Sequence, residues 1–105
     1  MVLIVCNAPT DQSSGIAQSL VQERLAACVT RTPVWSTYRW EGEVLEEEEH
    51  TLTIKTAEHS VAACKKRLLE LHPYDVPEIL VVPVDAERSL DAYVRWVREE
   101  CLPDS

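Results

Sequence analysis

The stretch that most constrains the fold is residues 34–56, where two runs of aromatic and β-branched side chains flank Glu41-Gly42. Gly42 is one of two glycines in the chain, and glycine adopts at little cost the positive φ that a tight turn requires. If Glu41-Gly42 is a two-residue turn, Tyr38 pairs with Leu45 across the strands. The stretch therefore predicts a long β-hairpin. The turn type stays open, because glutamate is less usual than Asn or Asp at the first turn position.

A helix over residues 43–55 is the competing interpretation, because glutamate and leucine are good helix formers. Three threonines and Ile54 lie among the last six residues of the stretch. Their side chains are stiff at χ1 and are favoured in strands, so the hairpin is preferred. Arms of this length exceed what the core of a small domain can cover. Their far ends are therefore expected to be bent, exposed or paired with another chain.

The remaining segments alternate between strand-like and helix-like patterns. A buried strand over residues 2–6 precedes a helix whose apolar stripe runs to residue 27, and a second strand over 28–32 leads into the hairpin through Pro33. A helix over 61–71, a buried strand over 78–84 and a final helix over 90–101 follow. Two βαβ halves joined by a hairpin make an α+β fold, the ferredoxin-like split βαβ (βαββαβ) with an extended hairpin and an extra C-terminal helix. The length fits one domain over residues 1–105.

The net charge and the cysteine pattern limit the function classes to which the chain could belong. The formal net charge of −8 argues against nucleic acid and against anionic membrane surfaces as partners. The chain carries no apolar run of membrane-spanning length and no signal-peptide pattern, so a soluble intracellular protein is expected. The cysteines form no Cys-x-x-Cys motif and are interpreted as reduced thiols. Of these, Cys28 and Cys64 are expected to be shielded and Cys101, near the terminus, to be more accessible.

Five segments of the chain carry distinctive motifs: Arg24-Leu25-Ala26-Ala27-Cys28-Val29, Tyr38-Arg39-Trp40-Glu41-Gly42-Glu43-Val44, Lys55-Thr56, His72-Pro73-Tyr74-Asp75-Val76-Pro77-Glu78-Ile79 and Tyr93-Val94-Arg95-Trp96-Val97. In this order and spacing they resemble the CutA divalent-cation tolerance proteins. The resemblance covers nearly the whole chain, and it implies a PII-like fold assembled as a tight homotrimer whose long hairpins pair between subunits. It also implies a cytoplasmic protein linked to tolerance of copper and other divalent metals, with no established reaction.

The chain departs from the family pattern just before the Tyr-Arg-Trp strand. Family members usually carry a Pro-Gly pair there and one more residue, whereas this chain reads Pro33-Val34-Trp35-Ser36. Proline cannot donate a hydrogen bond to a strand ladder. An edge strand, a bulge or a bend therefore remain open at this point.

A metal site is implied by the same resemblance at Cys6, His72 and Glu78. Thiolate, imidazole and carboxylate suit Cu(II) or Zn(II), so copper (Cu²⁺) or another divalent cation is the candidate ligand, and none is expected to be required for folding. Leu71 stands where metal-binding members carry a second histidine. The competing interpretation makes Cys6 a buried strand residue and leaves His72 and Glu78 to shape the turn between helix and strand.

Other polar groups carry weaker signals. Alternation along a strand sends successive glutamates of the run at residues 46–49 to opposite faces, which favours a solvated strand over a cation cage. His50 and His59 are interpreted as isolated surface histidines. Nucleophile-elbow and phosphate-loop motifs are absent from the sequence, so an enzyme is not expected.

These observations favour a trimeric binding or scaffolding module for divalent-metal homeostasis. The first alternative is a PII-like signalling trimer that binds a small molecule in the cleft between subunits. The second is an enzyme that uses that same cleft. The expected partners are further copies of the chain and divalent metal ions.

Overall fold

The computed structural model describes residues 1–102, which form one antiparallel sheet of strand order β2-β3-β1-β4 and three α-helices. The ferredoxin-like α+β fold with its extra C-terminal helix is confirmed. Within the described residues, no helix combines the length and the apolar character needed to cross a bilayer. The sequence also predicts a short tail over residues 102–105, which lies outside the described residues from residue 103 onward. The elements are β1 (Val2–Pro9), α1 (Ser13–Gln22), β2 (Cys28–Trp40), β3 (Glu43–Thr56), a 3₁₀ turn (Glu58–Ser60), α2 (Val61–Leu71), β4 (Leu80–Pro83) and α3 (Asp91–Glu100).

The predicted hairpin is confirmed in its register and in its turn. Tyr38 pairs with Leu45 as predicted, and the pairing of β2 with β3 stays one for one over its whole length. Glu41 and Gly42 have φ values of 49° and 81°, and positive φ at both central residues is what a type I′ turn requires. Pro33 pairs in register with His50 on the edge strand β2. The open question at this position is therefore resolved as an edge strand that continues through the proline.

Helices α1 and α2 cover one face of the sheet and enclose the main core. Along β1 the side chains alternate between buried and half-buried positions, as expected for a strand with one covered face. The covered face of β3 contributes Leu52 and Ile54, while Leu20 of α1 and Leu68 of α2 pack down onto it. The predicted apolar stripes of both helices therefore face this core.

The hairpin extends well beyond this core. The pairing of β1 with β3 ends at Pro9 and Glu49, so residues 43–48 of β3 have β2 as their sheet neighbour and, within residues 1–102, no strand on the other side. We call residues 35–48 the hairpin arm. Trp35 is 68% exposed and Val44 is 63% exposed. The prediction that the far ends of the hairpin escape the core is confirmed for the single chain.

The last strand corrects the prediction of a buried strand over residues 78–84. β4 spans Leu80–Pro83, and all four of its residues are exposed. It is the edge strand beside β1, whereas the main core is built from β1, β3, α1 and α2. An apolar run indicates a strand, but the position of that strand in the sheet decides whether it is covered.

The thiol accessibilities also differ from expectation. Cys101 is 3% exposed because it packs with Val97 and Ala57 in a second, smaller core beneath α3. Cys28, expected to be shielded, is half-buried, and Cys64 is buried as predicted. All four cysteines are free thiols. The C-terminal helix therefore shields the thiol that sequence position alone would have left accessible.

Candidate functional site

Cys6 occupies a buried position of β1 on the face covered by the helices. Its side chain is 0% exposed, and its Sγ lies 3.7 Å from the carbonyl oxygen of Asn7. Burial, aided by the negative charge of Glu78, raises the pKa of the Cys6 thiol to about 12. Because metals bind the thiolate, a metal at this residue would have to displace the thiol proton.

His72 follows directly after α2 and is 7% exposed. Its Nε2 lies 2.8 Å from the carbonyl oxygen of Asn7, and its Nδ1 lies 3.2 Å from the backbone nitrogen of Tyr74. A carbonyl oxygen accepts and a backbone N–H donates, so Nε2 carries the proton and Nδ1 accepts. Both ring nitrogens are therefore already engaged within the chain.

Glu78 lies exposed in the segment before β4. Its carboxylate is near enough to raise the pKa of the Cys6 thiol, yet among residues 1–102 no group of three or more His, Cys, Asp or Glu side chains could hold a metal ion. As folded, the chain does not offer Cys6, His72 and Glu78 as a ready ligand set. A metal there would require His72 to release one of its two hydrogen bonds and Cys6 to lose its proton. The three-residue site stays a prediction.

A hydrogen-bonded network around Asn7 joins the same region, and sequence reasoning did not predict it. The Asn7 carbonyl accepts from His72, while its side-chain Oδ1 accepts from the Thr51 hydroxyl at 2.7 Å. Its Nδ2 lies 3.5 Å from the hydroxyl of Ser36. Asn7 thus connects the end of β1 to β2, to β3 and to the segment after α2. The alternation of β1 could have placed Asn7 opposite Cys6, but its partners depend on the strand order.

Glu49 is a correction to the solvated strand predicted for residues 46–49. The first three glutamates are exposed, but Glu49 is 5% exposed and accepts a hydrogen bond from the Tyr74 hydroxyl at 3.0 Å. The Tyr74 ring is tilted against the His72 ring with centroids 4.7 Å apart. Burial first, and then the bond to Glu49, raises the pKa of the Tyr74 hydroxyl. The pairing of β3 with β1 ends at Glu49, so Tyr74 covers Glu49 at the point where the hairpin arm begins.

His50 corrects the expectation of an isolated surface histidine, whereas His59 is partly exposed. His50 is half-buried and its Nδ1 contacts the hydroxyl of Ser13, which is fully buried. Arg31 reaches the same hydroxyl at 3.3 Å. A serine beside a histidine can act as a nucleophile when a substrate reaches it, but this hydroxyl is enclosed and bonded on several sides. The arrangement fastens α1 to β2 and β3 and provides no accessible nucleophile.

Comparison with known proteins identifies the family of this chain. The family model described as "CutA1 divalent ion tolerance protein" matches residues 1–100. The chain belongs to the CutA1 divalent ion tolerance family. The divalent-cation tolerance protein CutA of Thermus thermophilus is 43% identical over 99 residues, which is 92% of this chain and 94% of that protein. Human protein CutA is 39% identical over 93 residues, which is 86% of this chain and 51% of the human protein.

Solved CutA structures share the whole fold. The structure described as the PII-like protein CutA from Nostoc in apo form is 40% identical and aligns with a TM-score of 0.96, covering 98% of this chain and 99% of that one. The structure of the Thermus thermophilus divalent cation tolerance protein aligns with a TM-score of 0.90 at 40% identity, covering 97% of this chain and all of that one. This CutA-family chain therefore has the PII-like fold.

Proposed function

We propose that this CutA-family chain works as a cytoplasmic, non-catalytic homotrimer that serves as a binding module in divalent-cation tolerance. The family match across residues 1–100 supports the link to divalent cations. The observation that carries the trimer is the hairpin arm, whose apolar side chains Trp35, Trp40 and Val44 are exposed in the described chain. The free thiols at all four cysteines are in keeping with a reducing compartment.

Both edges of the sheet favour self-association. β2 and β4 each have one sheet neighbour, so each leaves a row of unpaired backbone groups in the single chain. Leu80 of β4 is 53% exposed and Trp40 at the end of β2 is 47% exposed. Exposed edges that carry apolar side chains promote uncontrolled association unless they are covered. Closed rotational symmetry covers the same surface on every subunit and ends the assembly at a fixed number of chains.

Sedimentation equilibrium tests the assembly. We expect a single species of about three times the 11.9 kDa chain mass, and we expect it to persist on dilution to sub-micromolar concentration. A monomer at micromolar concentration would contradict the proposal.

The proposed metal binding depends on the predicted ligands Cys6, His72 and Glu78. Copper titration of the trimer should give about one tight site per subunit, weakened more by Cys6→Ser or His72→Ala than by Glu78→Gln. The control is the double variant His50→Gln, His59→Gln, which should leave tight binding unchanged. If the control abolishes binding while the Cys6 and His72 variants do not, the predicted ligand set is wrong.

A PII-like signalling trimer is the second candidate function. The fold likeness to the Nostoc structure described as PII-like favours it, because a ligand of such a trimer would lie between subunits and would require no site within one chain. A thermal-shift screen of the trimer against nucleotides and divalent metals, run separately, distinguishes the two. A midpoint raised by a nucleotide alone would favour signalling, and one raised by a metal alone would favour the proposed cation role.

A further inference from the structure

Arg24 holds a backbone conformation that its side chain makes costly. It follows the end of α1 with φ of 60°, and the Leu25 N–H beyond it closes the helix by donating to the Leu20 carbonyl at 2.9 Å. Glycine is the usual residue at this position because it has no β-carbon to clash in the left-handed region. A strained residue that persists is a reason to ask what its side chain does.

The Arg24 side chain binds the C-terminal end of α3, far away in sequence. Its Nε donates to the carbonyl of Glu100 at 2.9 Å, and its Nη2 donates to the carbonyl of Glu99 at 3.1 Å. The Arg24 carbonyl in turn accepts from the Leu102 N–H at 2.9 Å. The last carbonyls of a helix lack partners within it and carry partial negative charge, so a guanidinium satisfies them by hydrogen bonding and by charge.

The remaining attachment of α3 is narrow. Val94 and Val97 are its buried residues, and they lie apart from the main core, with Val97 and Cys101 in the smaller cluster around Ala57. Ser60, itself 2% exposed, donates from its hydroxyl to the Leu102 carbonyl at 2.9 Å. Elements that bury few apolar side chains open at a lower free energy than the core does.

Helix α3 also forms one wall of a cleft of about 450 Å³ lined by Met1, Glu58, His59 and Arg98. Arg98 belongs to α3, whereas Glu58 and His59 belong to the 3₁₀ turn on the opposite side. The Nε2 of His59 is a buried nitrogen with no hydrogen-bond partner among the described residues. The width of the cleft and the shielding of this nitrogen therefore depend on where α3 sits.

We propose that Arg24 is a latch that holds α3 against the sheet, and that α3 opens as a unit while the sheet stays folded. In the latched state the guanidinium bonds offset the strain at the Arg24 backbone, and the cleft is closed on its α3 side. In the open state the helix end loses these bonds, Cys101 becomes accessible and the cleft widens.

The test is amide hydrogen exchange of the full chain with Arg24→Ala and Arg24→Gly. Both variants remove the guanidinium, but glycine also removes the backbone strain. We expect the amides of α3 to exchange about tenfold faster in both, with β1 and β3 unchanged. Tenfold is modest for bonds to a charged group because the Arg24 side chain is 51% exposed. Labelling of Cys101 by a thiol reagent should accelerate in parallel, and labelling of Cys6 should not.

Arg67→Ala is the matched control. Arg67 is another partly exposed arginine in an ion pair, with Glu23 at 2.9 Å, but its partners are Glu23, directly after α1, and Glu70 on α2. It should leave exchange in α3 unchanged. The latch is refuted if α3 exchanges at the wild-type rate in both Arg24 variants. It is equally refuted if only Arg24→Ala accelerates exchange, since the guanidinium would then serve only to offset the backbone strain, or if all elements accelerate together.

Discussion

The two ends of the long hairpin are both built from strand-forming residues, but they lie in opposite surroundings. We call residues 28–34 and 49–56, together with β1 and β4, the sheet base. In the base, β3 lies between β1 and β2, and Leu52 and Ile54 are 0% exposed beneath the helices. In the hairpin arm the same two strands continue in the same register, but β1 has ended and Val44, on the same face as Leu52, is 63% exposed.

The comparison separates what forms a strand from what buries it. Alternating β-branched and aromatic residues with a Gly-containing turn suffice to pair β2 with β3 along their whole length. Burial requires a third element on the covered face, and α1 and α2 reach only the base. The arm is therefore a formed but uncovered surface, and it is the part of the chain whose stability should depend on other subunits.

The largest expected contrast comes from truncating one side chain in each region. Leu52→Ala should lower the free energy of unfolding by about 2–5 kcal/mol, because it opens a cavity in a closed core. Val44→Ala should lower it by less than about 0.5 kcal/mol within a subunit. Urea unfolding at two protein concentrations checks both. Only the Val44 variant should show a loss that grows on dilution, and equal, concentration-independent losses would contradict the comparison.

Proline substitutions in β3 test the difference between base and arm in a second way. The residues that flank a two-residue hairpin turn form a hydrogen-bonded pair, so alternate residues of β3 direct their N–H toward β2. Thr53 directs its N–H toward Thr30, and Glu46 directs its N–H away from β2, toward the side where β1 is missing. Thr53→Pro should destabilise the subunit by about 3 kcal/mol through the lost ladder bond and steric conflict.

Glu46→Pro should instead leave the subunit folded and weaken the trimer. Circular dichroism reports the subunit and sedimentation reports the assembly, so the two effects are separable. A Glu46→Pro variant that stays trimeric at sub-micromolar concentration would show that this edge of the arm is not used between chains.

The main core between the sheet base and the helices should also carry an alkaline signature. Burial, its largest cause, raises the pKa of the Cys64 thiol from 9.0 to about 12. A raised pKa means that the folded state holds its proton longer, so the contribution is complete below pH 9 and is lost as pH rises toward 12. Between pH 8 and pH 10 the free energy of unfolding should fall by roughly 1 kcal/mol per buried thiol. Cys64→Ala should reduce that slope, and an unchanged slope would place the titration elsewhere.

A modest loss of stability is expected at the boundary between base and arm. Tyr74→Phe removes the hydroxyl that donates to the buried Glu49, and the loss of a bond to a buried carboxylate should cost about 1–3 kcal/mol, toward the low end because Tyr74 is 37% exposed. Thermal unfolding measures it, with Tyr93→Phe on α3 as the control for loss of a tyrosine hydroxyl. A Tyr74 variant as stable as the wild-type chain would indicate that solvent replaces the bond.

Much of the fold was predictable because local patterns specify it. The alternation along β1, the apolar stripes of α1 and α2 and the turn at Gly42 each depend on neighbours within a few residues. The exposure of β4 could not be predicted from such local patterns. Leu80, Val81 and Val82 form an apolar run in the sequence, yet a strand at the edge of the sheet lies beyond the helices that cover β1 and β3.

The partners of polar side chains were even harder to predict from the sequence. The sequence indicated His72 and Cys6 as metal ligands through a family resemblance, and tertiary structure gave both ring nitrogens of His72 to the backbone. Glu49 looked like the end of a solvated run, and Tyr74 covers it. A polar side chain's partners are set by which strands and loops meet around it, and that information is not local.

The sequence by itself determined the order of strands and helices, the hairpin with its register and the membership of the CutA1 family, because these rest on local periodicity and on motifs of fixed spacing. Tertiary structure decided which apolar strands are covered, which histidines are engaged and how the C-terminal helix is attached. Arg24 illustrates the reason. Its position after α1 is a local matter, but its bonds to the carbonyls of Glu99 and Glu100 exist only because the folded sheet brings the end of α1 beside the end of α3.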